Sequence, residues 1–265
     1  MPFTISHVAA VLPFARFLRQ GKLLSAAVIG SMVPDFSLFL PEQMPRYETH
    51  GLPALFAFCL PMGLLCYWTF QLHIKTATLE LLPGKLHDLW REDGRAAPLR
   101  SVRQWLLAAI GVLLGALTHL IWDGFTHENA RGVRMLSALD EVRVSFLGHE
   151  FSWFRFMQHS SSVIGLAFVL WFVWLGVSRA EGHVDTQPRL LQQHERRVWF
   201  TTYVVVAVVA AILTFIGFWW RRHYSWDLGG TLGMAAKASL WGIALSLLIV
   251  SALVKRQLRS NSASK

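Results

Sequence analysis

Residues 104–127 read QWLLAAIGVLLGALTHLIWDGFTH. The run is long and apolar enough for a membrane helix, which needs about 20 such residues to cross a hydrocarbon core. Its three polar members His119, Asp123 and His127 follow the spacing i, i+4, i+8 and therefore share one helix face. Ionisable side chains are costly at membrane depth and usually mark function there. Imidazole and carboxylate also bind zinc and similar metals, so this stretch predicts both a membrane helix and a candidate site.

The composition extends this prediction to the whole chain. Of 265 residues, 54% are hydrophobic and only 15% are charged, against about 25% charged in typical soluble domains. Apolar runs of spanning length recur, which predicts an all-α polytopic membrane helical bundle rather than a large soluble core. The predicted segments are 22–40, 52–74, 104–126, 161–178, 198–220 and 233–254.

Segment 22–40 leaves the number of spans open at five or six. It carries Pro34 and Asp35 among several serines, which is unusual for a membrane span. If it spans, the bundle has six spans. If it dips into the membrane or lies on the bundle, residues 1–51 share one side and form an amphipathic or re-entrant helix pair beside five spans.

One membrane domain, residues 1–265, is the simplest organisation, because the chain shows no internal repeat. Residues 1–168 carry the polar motifs, and 198–254 hold two plain C-terminal spans. Cys59 and Cys66 lie seven residues apart in one apolar segment, too far for a disulfide bond on a helix.

The net charge of +9 is interpreted as a topology signal rather than a nucleic-acid site. Loops 75–103, 179–197 and 255–265 hold fourteen Lys and Arg, against eight on the opposite side, or eleven if segment 22–40 does not span. Basic loops stay in the cytoplasm and contact anionic lipid. We therefore expect a bacterial inner-membrane protein with a cytoplasmic C-terminus, a site on the extracytoplasmic side, membrane lipid as partner and no nucleic acid.

The triplet of His119, Asp123 and His127 cannot by itself supply all the ligands of a metal ion. His119 and His127 stand about 12 Å apart along the helix axis, so one ion cannot easily take both. Asp123 lies between them, which favours either one ion at His119 and Asp123 or two ions sharing Asp123. The alternative is a buried polar network that holds helices together. A second His-x-x-x-Asp pattern, His223 with Asp227, is interpreted first as a loop hydrogen-bond pair.

Other polar residues are weak candidates one at a time. Asp35 follows a proline and suits a turn, His50 precedes a glycine as helix-terminal residues do, and His7 suits a short first helix. His159 lies in the polar start of an apolar helix (QHSS). In the five-span arrangement all four fall on one side with the triplet, and this shared side makes them joint candidates.

Four pieces carry a family resemblance: MPFTISHVAAVLP, VIGSMVPDF, GALTHLIWDGFTH and FMQHSSSVIGL. They closely resemble the bacterial membrane-protein family called domain of unknown function 4184, in the right order over residues 2–168. That family has no established activity, so the resemblance implies a membrane fold and no chemistry.

A more distant likeness implies chemistry. The order His, Asp, His, His-x-x-x-Asp, His is similar to the ligand order of zinc-dependent phospholipase C, the single-strand nucleases and membrane-bound metal-dependent hydrolases. It implies a metal site with these ligands: His7, Asp35, His50, His119, Asp123 and His127, with His159 as an additional candidate. The chain starts Met1-Pro2 where those enzymes have a ligating Trp, and neither His149 nor His159 begins a His-x-x-x-Glu pattern. One or two divalent ions, zinc first, are therefore expected instead of three.

Two classes of function follow. The first is a membrane-embedded metal-dependent hydrolase acting on a phosphoester of a lipid or lipid-linked substrate, with Asp123 and His127 as catalytic residues. The second is a non-enzymatic membrane protein whose His/Asp cluster handles protons or metal ions or fixes helix packing. Bound metal would favour a hydrolase or a metal-handling protein over a packing role. Hydrolysis of a phosphoester would then distinguish the hydrolase from the metal-handling protein.

Overall fold

The computed structural model describes residues 4–20, 23–39, 44–82, 99–141, 143–146, 149–179, 191–221 and 228–263. Almost all of them are helical, which confirms the predicted all-α class. The strands among these residues form one antiparallel pair, β1 (Arg143–Phe146) and β2 (His149–Ser152). Arg143 pairs with Ser152 and Phe146 with His149.

The α-helices follow one another along the chain with short 3₁₀ and π segments between them. They are α1 Ala15–Gln20, α2 Leu24–Gly30, α3 Arg46–His50, α4 Leu60–Thr69, α5 Lys75–Leu81, α6 Val102–Thr126, α7 Arg131–Met135, α8 Ala138–Glu141, α9 Trp153–Arg179, α10 Gln193–Arg221 and α11 Leu228–Ala263. The 3₁₀ helices are Thr4–Ala10, Leu12–Phe14 and Val33–Phe39, and π turns at Leu55–Cys59 and Phe70–Ile74 adjoin α4.

Five helices are long and apolar enough to cross a membrane. Their bounds are Leu55–Leu81, Val102–Thr126, Trp153–Ser178, Gln193–Trp220 and Lys237–Asn261. On α9, Val163 and Ile164 are 71% and 67% exposed, which suits contact with lipid chains and not with water. The protein is therefore an integral membrane protein, and five of the predicted segments lie in these helices.

The remaining predicted segment, 22–40, divides into two short pieces. Helix α2 ends at Gly30, and the 3₁₀ helix Val33–Phe39 follows after a turn in which the amide of Met32 bonds the carbonyl oxygen of Ile29. Seven α-helical residues extend about 10 Å, a third of the hydrocarbon thickness. The structure thus has the five-span arrangement with short N-terminal helices.

The chain forms two compact units. The first comprises Met1–Tyr67 with Leu99–Arg179, and the second Trp68–Pro98 with Ala180–Lys265. Within the second unit, the buried side chains of one apolar cluster include Ala77, Val250 and Val254. All polar candidate residues with described side chains belong to the first unit, so the site is built there.

Small residues bring α2 and α6 into close contact in the first unit. A Cβ atom on Gly115 would lie 2.7 Å from the amide nitrogen of Ser31 and closer still to the carbonyl oxygen of Ala27. A Cβ atom on Gly111 would lie 2.7 Å from Cβ of Ala26. Such spacing lets helix backbones approach directly, and it places the residues after α2 against the polar face of α6.

Helix α6 has defined ends. Ser101 accepts a hydrogen bond from the amide of Gln104 and donates its own amide to the Gln104 side chain, forming a capping box. The helix ends at Thr126, and His127 is extended. The carbonyl oxygen of His127 then accepts from the amide of Ala130, across Asn129 in the left-handed region (φ 59°). This turn fixes where His127 leaves the helix.

Candidate metal centre

His119 is a fully buried residue of α6 with one assigned ring proton. Its Nδ1 lies 2.7 Å from the carbonyl oxygen of Ser31. Because a carbonyl oxygen can only accept, Nδ1 carries the proton and donates it. The other nitrogen, Nε2, therefore presents a lone pair, which is the arrangement that metal-ligating histidines show.

His50, the last residue of α3, is held in the same way. Its Nδ1 lies 2.7 Å from the hydroxyl oxygen of Thr49, and that hydroxyl points at the carbonyl oxygen of Arg46 at 3.4 Å. The Thr49 hydroxyl thus fixes the orientation of the His50 ring. With Nδ1 donating to that hydroxyl, Nε2 of His50 would present a lone pair, as Nε2 of His119 does.

Two buried carboxylates face these nitrogens. Oδ2 of Asp35 accepts a hydrogen bond from the Thr4 hydroxyl at 2.9 Å, which leaves Oδ1 at 3.5 Å from Nε2 of His50 and 3.7 Å from Nε2 of His119. Oδ2 of Asp123 lies 3.4 Å from both nitrogens. Asp35, His50, His119 and Asp123 form the four-residue cluster, each offering one ligand atom within 4.8 Å of the others.

The cluster has the donor atoms and the spacing to hold a divalent cation. Nε2 of His50 and Nε2 of His119 have no hydrogen-bond partner within the described ranges. The buried lone pair of His119 is repelled by the carboxylate oxygens that it faces unless positive charge lies between them. Tetrahedral ligands at about 2.0–2.1 Å from zinc stand about 3.4 Å apart, and the four separations between a histidine nitrogen and a carboxylate oxygen in the cluster are 3.4–3.7 Å.

Two further histidines face the other oxygen of Asp123. Nε2 of His7 lies 3.5 Å and Nδ1 of His127 3.4 Å from Oδ1 of Asp123. The His7 ring also stacks on His119 with centroids 3.7 Å apart. Asp123 thus has histidine nitrogens near both of its oxygens.

Burial and neighbouring charges set the protonation of the outer residues. Burial lowers the pKa of His7 to about 4, with a smaller lowering from His119. Burial likewise lowers the pKa of His127 to about 4, and Arg46 adds to that effect. Burial alone would raise the pKa of Asp35, but the adjacent His50 and His119 outweigh it and hold this pKa below its ordinary value. At pH 7 the site therefore has neutral outer imidazoles and an ionised Asp35, the forms that bind cations.

The first turns of α9 add a polar residue to this end of the site. The side-chain amide nitrogen of Gln158 lies 2.9 Å from Nε2 of His127. The neighbouring His159 is exposed and contacts the Phe151 ring edge-on at 6.4 Å between centroids. Gly165 of α9 lets the helix approach the 3₁₀ segment that carries His7, since a Cβ atom there would lie 2.9 Å from the carbonyl oxygen of Ser6.

Arg46 supplies the one cation in contact with the cluster among the described side chains. Its Nη2 donates to Oδ2 of Asp123 at 2.7 Å. The Arg46 side chain is 43% exposed, whereas that of Asp123 is 2% exposed. The guanidinium therefore connects the buried carboxylate to the surface at the start of α3.

The structure brings six of the seven predicted site residues together, and it does not bring His159 to them. The second His-x-x-x-Asp pair, His223 with Asp227, lies outside the described residues. Sequence reasoning missed the groups that orient the ligands. These are Thr4, the carbonyl group of Ser31, Thr49, Arg46 and Gln158. Arg46 could have been found from the sequence, since it stands four residues before His50 and shares its helix face. The role of the Ser31 carbonyl group could not, because every residue has a carbonyl group.

Fold and site together define a class: a polytopic helical membrane protein with a buried His/Asp cluster that could hold a metal ion. Residues 1–253 match the family described as domain of unknown function (DUF4184), and the chain belongs to that family. The match includes the two C-terminal spans that the four sequence pieces did not reach. No curated protein and no solved structure matches the chain, so the comparisons name no hydrolase relative.

Proposed function

We propose that the protein is a metal-dependent hydrolase of the bacterial inner membrane, acting on a phosphoester of a lipid or lipid-linked substrate. The observation that carries the proposal is the buried Nε2 lone pair of His119, which faces Asp35 and Asp123 beside Nε2 of His50. A network that only fixed helix packing would place ring protons on the carboxylates. In His119 the proton goes instead to the carbonyl oxygen of Ser31, away from the cluster.

Each residue has a defined role in this proposal. The four-residue cluster would hold the ion, and Thr4, Ser31 and Thr49 would fix the ligand orientations. A divalent ion, zinc first, would supply Lewis acidity toward a phosphoryl oxygen and lower the pKa of water to about 7. His127 would be the proton carrier, because it is neutral at pH 7 and its Nδ1 faces Oδ1 of Asp123 while Gln158 contacts Nε2.

The number of ions depends on what His7 and His127 do. The four-residue cluster accounts for one ion. A second ion would have His7, His127 and Oδ1 of Asp123 as ligands, with Asp123 bridging the two. With one ion, His7 and His127 instead surround Asp123 as neutral neighbours. The metal-to-protein ratio distinguishes the two arrangements.

The position of the site supports a lipid substrate. Asp123 lies in the last turn of the spanning helix α6, and His127 lies just beyond its end, so the site is near a membrane boundary. In the five-span arrangement, loops 75–103, 179–197 and 255–265 hold fourteen Lys and Arg against eleven on the other side, which would put the C-terminus in the cytoplasm and this site on the opposite side. Its substrate would then come from membrane lipid.

Metal handling without hydrolysis is a second candidate, and one observation favours it. The cluster already offers four protein ligands, which would complete a tetrahedral zinc site, whereas catalytic zinc sites keep a position open. Hydrolysis therefore requires a fifth coordination position or the displacement of one ligand. Metal handling requires neither.

The test is to purify the full chain in detergent, supplement it with zinc or manganese, and measure bound metal by elemental analysis. Wild type should hold one or two ions per chain, and Asp123→Ala and His119→Ala should hold fewer. His159→Ala is the matched control, because this exposed histidine lies off the cluster, and it should bind as wild type does. Absence of stoichiometric metal in wild type would refute the proposal. Metal without hydrolysis across a panel of phosphomonoesters and phosphodiesters would favour metal handling.

A further inference from the structure

We propose that Arg46 recognises an anionic group, a phosphate or phosphate-like oxyanion, at the entrance of the metal centre, and that metal binding frees it to do so. This inference rests on the proposed metal centre and adds the substrate charge that the centre would select. It starts from the contact between Arg46 and Asp123. A metal ion acting as a Lewis acid would not require that contact.

Arg46 bonds the carboxylate oxygen that an ion in the cluster would also contact. Oδ2 of Asp123 accepts from Nη2 of Arg46 at 2.7 Å and lies 3.4 Å from Nε2 of His50 and from Nε2 of His119. The guanidinium thus supplies positive charge to this buried carboxylate. An ion in the four-residue cluster would replace that charge and weaken the hold of Asp123 on Arg46.

The charge count then favours an anion. Two carboxylates, Asp35 and Asp123, balance one divalent ion, and the imidazoles that line the site are neutral ligands. Arg46 then contributes one uncompensated positive charge beside the ion. Its guanidinium has several donors in a planar fork that matches phosphate and carboxylate oxygens.

The position of Arg46 suits this role. It is the first residue of α3, and His50, four residues on, is a member of the cluster on the same helix face. Its side chain is 43% exposed, so it can contact both solvent and the ion site.

The experiment measures two affinities on the purified full chain, neither of which depends on turnover. Zinc affinity comes from competition with a chromophoric chelator, without phosphate. Anion affinity of the zinc-loaded protein comes from calorimetric titration with inorganic phosphate in one arm and dihexanoyl phosphatidic acid in the other. The variants are Arg46→Gln, Arg46→Lys and, as control, Arg143→Gln, an exposed arginine of β1 that donates to Ser152.

We expect Arg46→Gln to bind zinc at least as tightly as wild type, because a competitor for Asp123 is gone. Its anion affinity should fall about ten- to hundred-fold, the effect of losing a charge-assisted hydrogen bond. Arg46→Lys should lie between, and Arg143→Gln should match wild type in both measurements. Tighter binding of phosphatidic acid than of phosphate, lost with Arg46, would identify a lipid headgroup as the source of the anion, and equal binding would identify the free oxyanion.

Two outcomes would overturn the inference. One is unchanged anion affinity in Arg46→Gln and Arg46→Lys. The other is loss of zinc from either variant while it remains folded, which would make Arg46 part of the structure of the site. If Arg46→Gln does not fold, Arg46→Lys decides. Wild type without zinc would refute the proposed function itself, and the inference with it, whereas zinc binding with Arg46-independent anion affinity refutes the inference alone.

Discussion

Replacing Gly115 by alanine should weaken metal binding at least about a hundred-fold without unfolding the protein. The side chain of residue 115 plays no chemical part in the site, so an effect on metal must come through geometry. A Cβ atom there would lie 2.7 Å from the amide nitrogen of Ser31 and closer to the carbonyl oxygen of Ala27, whereas ordinary contacts begin at 3.4 Å. Helix α2 and the turn after it would have to move away by at least about 0.7 Å, several times the tolerance of about 0.2 Å on metal–ligand distances.

That displacement acts on the ligands through Ser31. The carbonyl oxygen of Ser31 accepts from Nδ1 of His119 at 2.7 Å, and a shift of this size would stretch the bond beyond hydrogen-bond length. Asp35, four residues later, would move with it. Loss of an orienting partner alone costs about ten- to hundred-fold in metal affinity, and the displaced carboxylate adds to that, so zinc affinity should fall at least about a hundred-fold.

Stability should change far less than metal affinity. Overpacking costs about 1–3 kcal/mol, and alanine in place of a helical glycine returns up to about 1 kcal/mol. Gly124→Ala is the matched control, since it lies on the same helix and its added methyl group would meet nothing within 4 Å. Chelator competition should show zinc lost in Gly115→Ala and kept in Gly124→Ala, with thermal unfolding reporting that both fold. Wild-type zinc affinity in Gly115→Ala would refute the geometric reasoning.

Three further changes test other parts of the structure. Thr4→Val removes the hydrogen bond to Oδ2 of Asp35 and should weaken zinc binding about ten-fold or more; unchanged affinity in the chelator assay would show that Asp35 needs no support. In the metal-free protein, burial lowers the pKa of His7 from 6.5 to about 4. Between these two pH values the imidazole binds a proton in the unfolded chain but not in the folded one. The free energy of unfolding should therefore fall by up to about 3 kcal/mol as the pH drops from about 6.5 to about 4. His7→Gln should flatten that part of the profile of melting temperature against pH, and an identical slope would contradict the assignment. In the second unit, Gly242→Ala places a methyl group 2.9 Å from Cβ of Ala211. This change should lower the melting temperature and leave the amount of bound metal unchanged. Loss of metal from Gly242→Ala would contradict a site confined to the first unit.

The membrane class was accessible from sequence because it depends on composition and on run length. Each spanning helix satisfies its backbone hydrogen bonds internally, so its existence needs no knowledge of its neighbours. Segment 22–40 was different. Whether an apolar run with Pro34 and Asp35 continues as one helix depends on what receives its polar groups, and in the structure Thr4, His50 and His119 surround Asp35.

The candidate ligands were accessible only in part. Helical periodicity placed His119, Asp123 and His127 on one face and pointed to Asp123 as the bridge. His7, Asp35 and His50 rested on a shared side of the membrane and on a resemblance in residue order. Their meeting at Asp123 depends on close packing of α2 on α6 through Gly111 and Gly115, which is a tertiary contact.

By itself, the sequence determined a helical membrane protein with polar residues concentrated near one end of one helix, because hydrophobicity and 3.6-residue periodicity act locally. Only the tertiary structure decided that Nε2 of His119 carries the lone pair, since that depends on the carbonyl group of Ser31. It likewise decided that Arg46 reaches Asp123 and that Gln158, and not His159, reaches His127. These contacts join residues that are distant along the chain, or they depend on the direction in which one side chain points. The spacing of residues along the sequence predicts neither property.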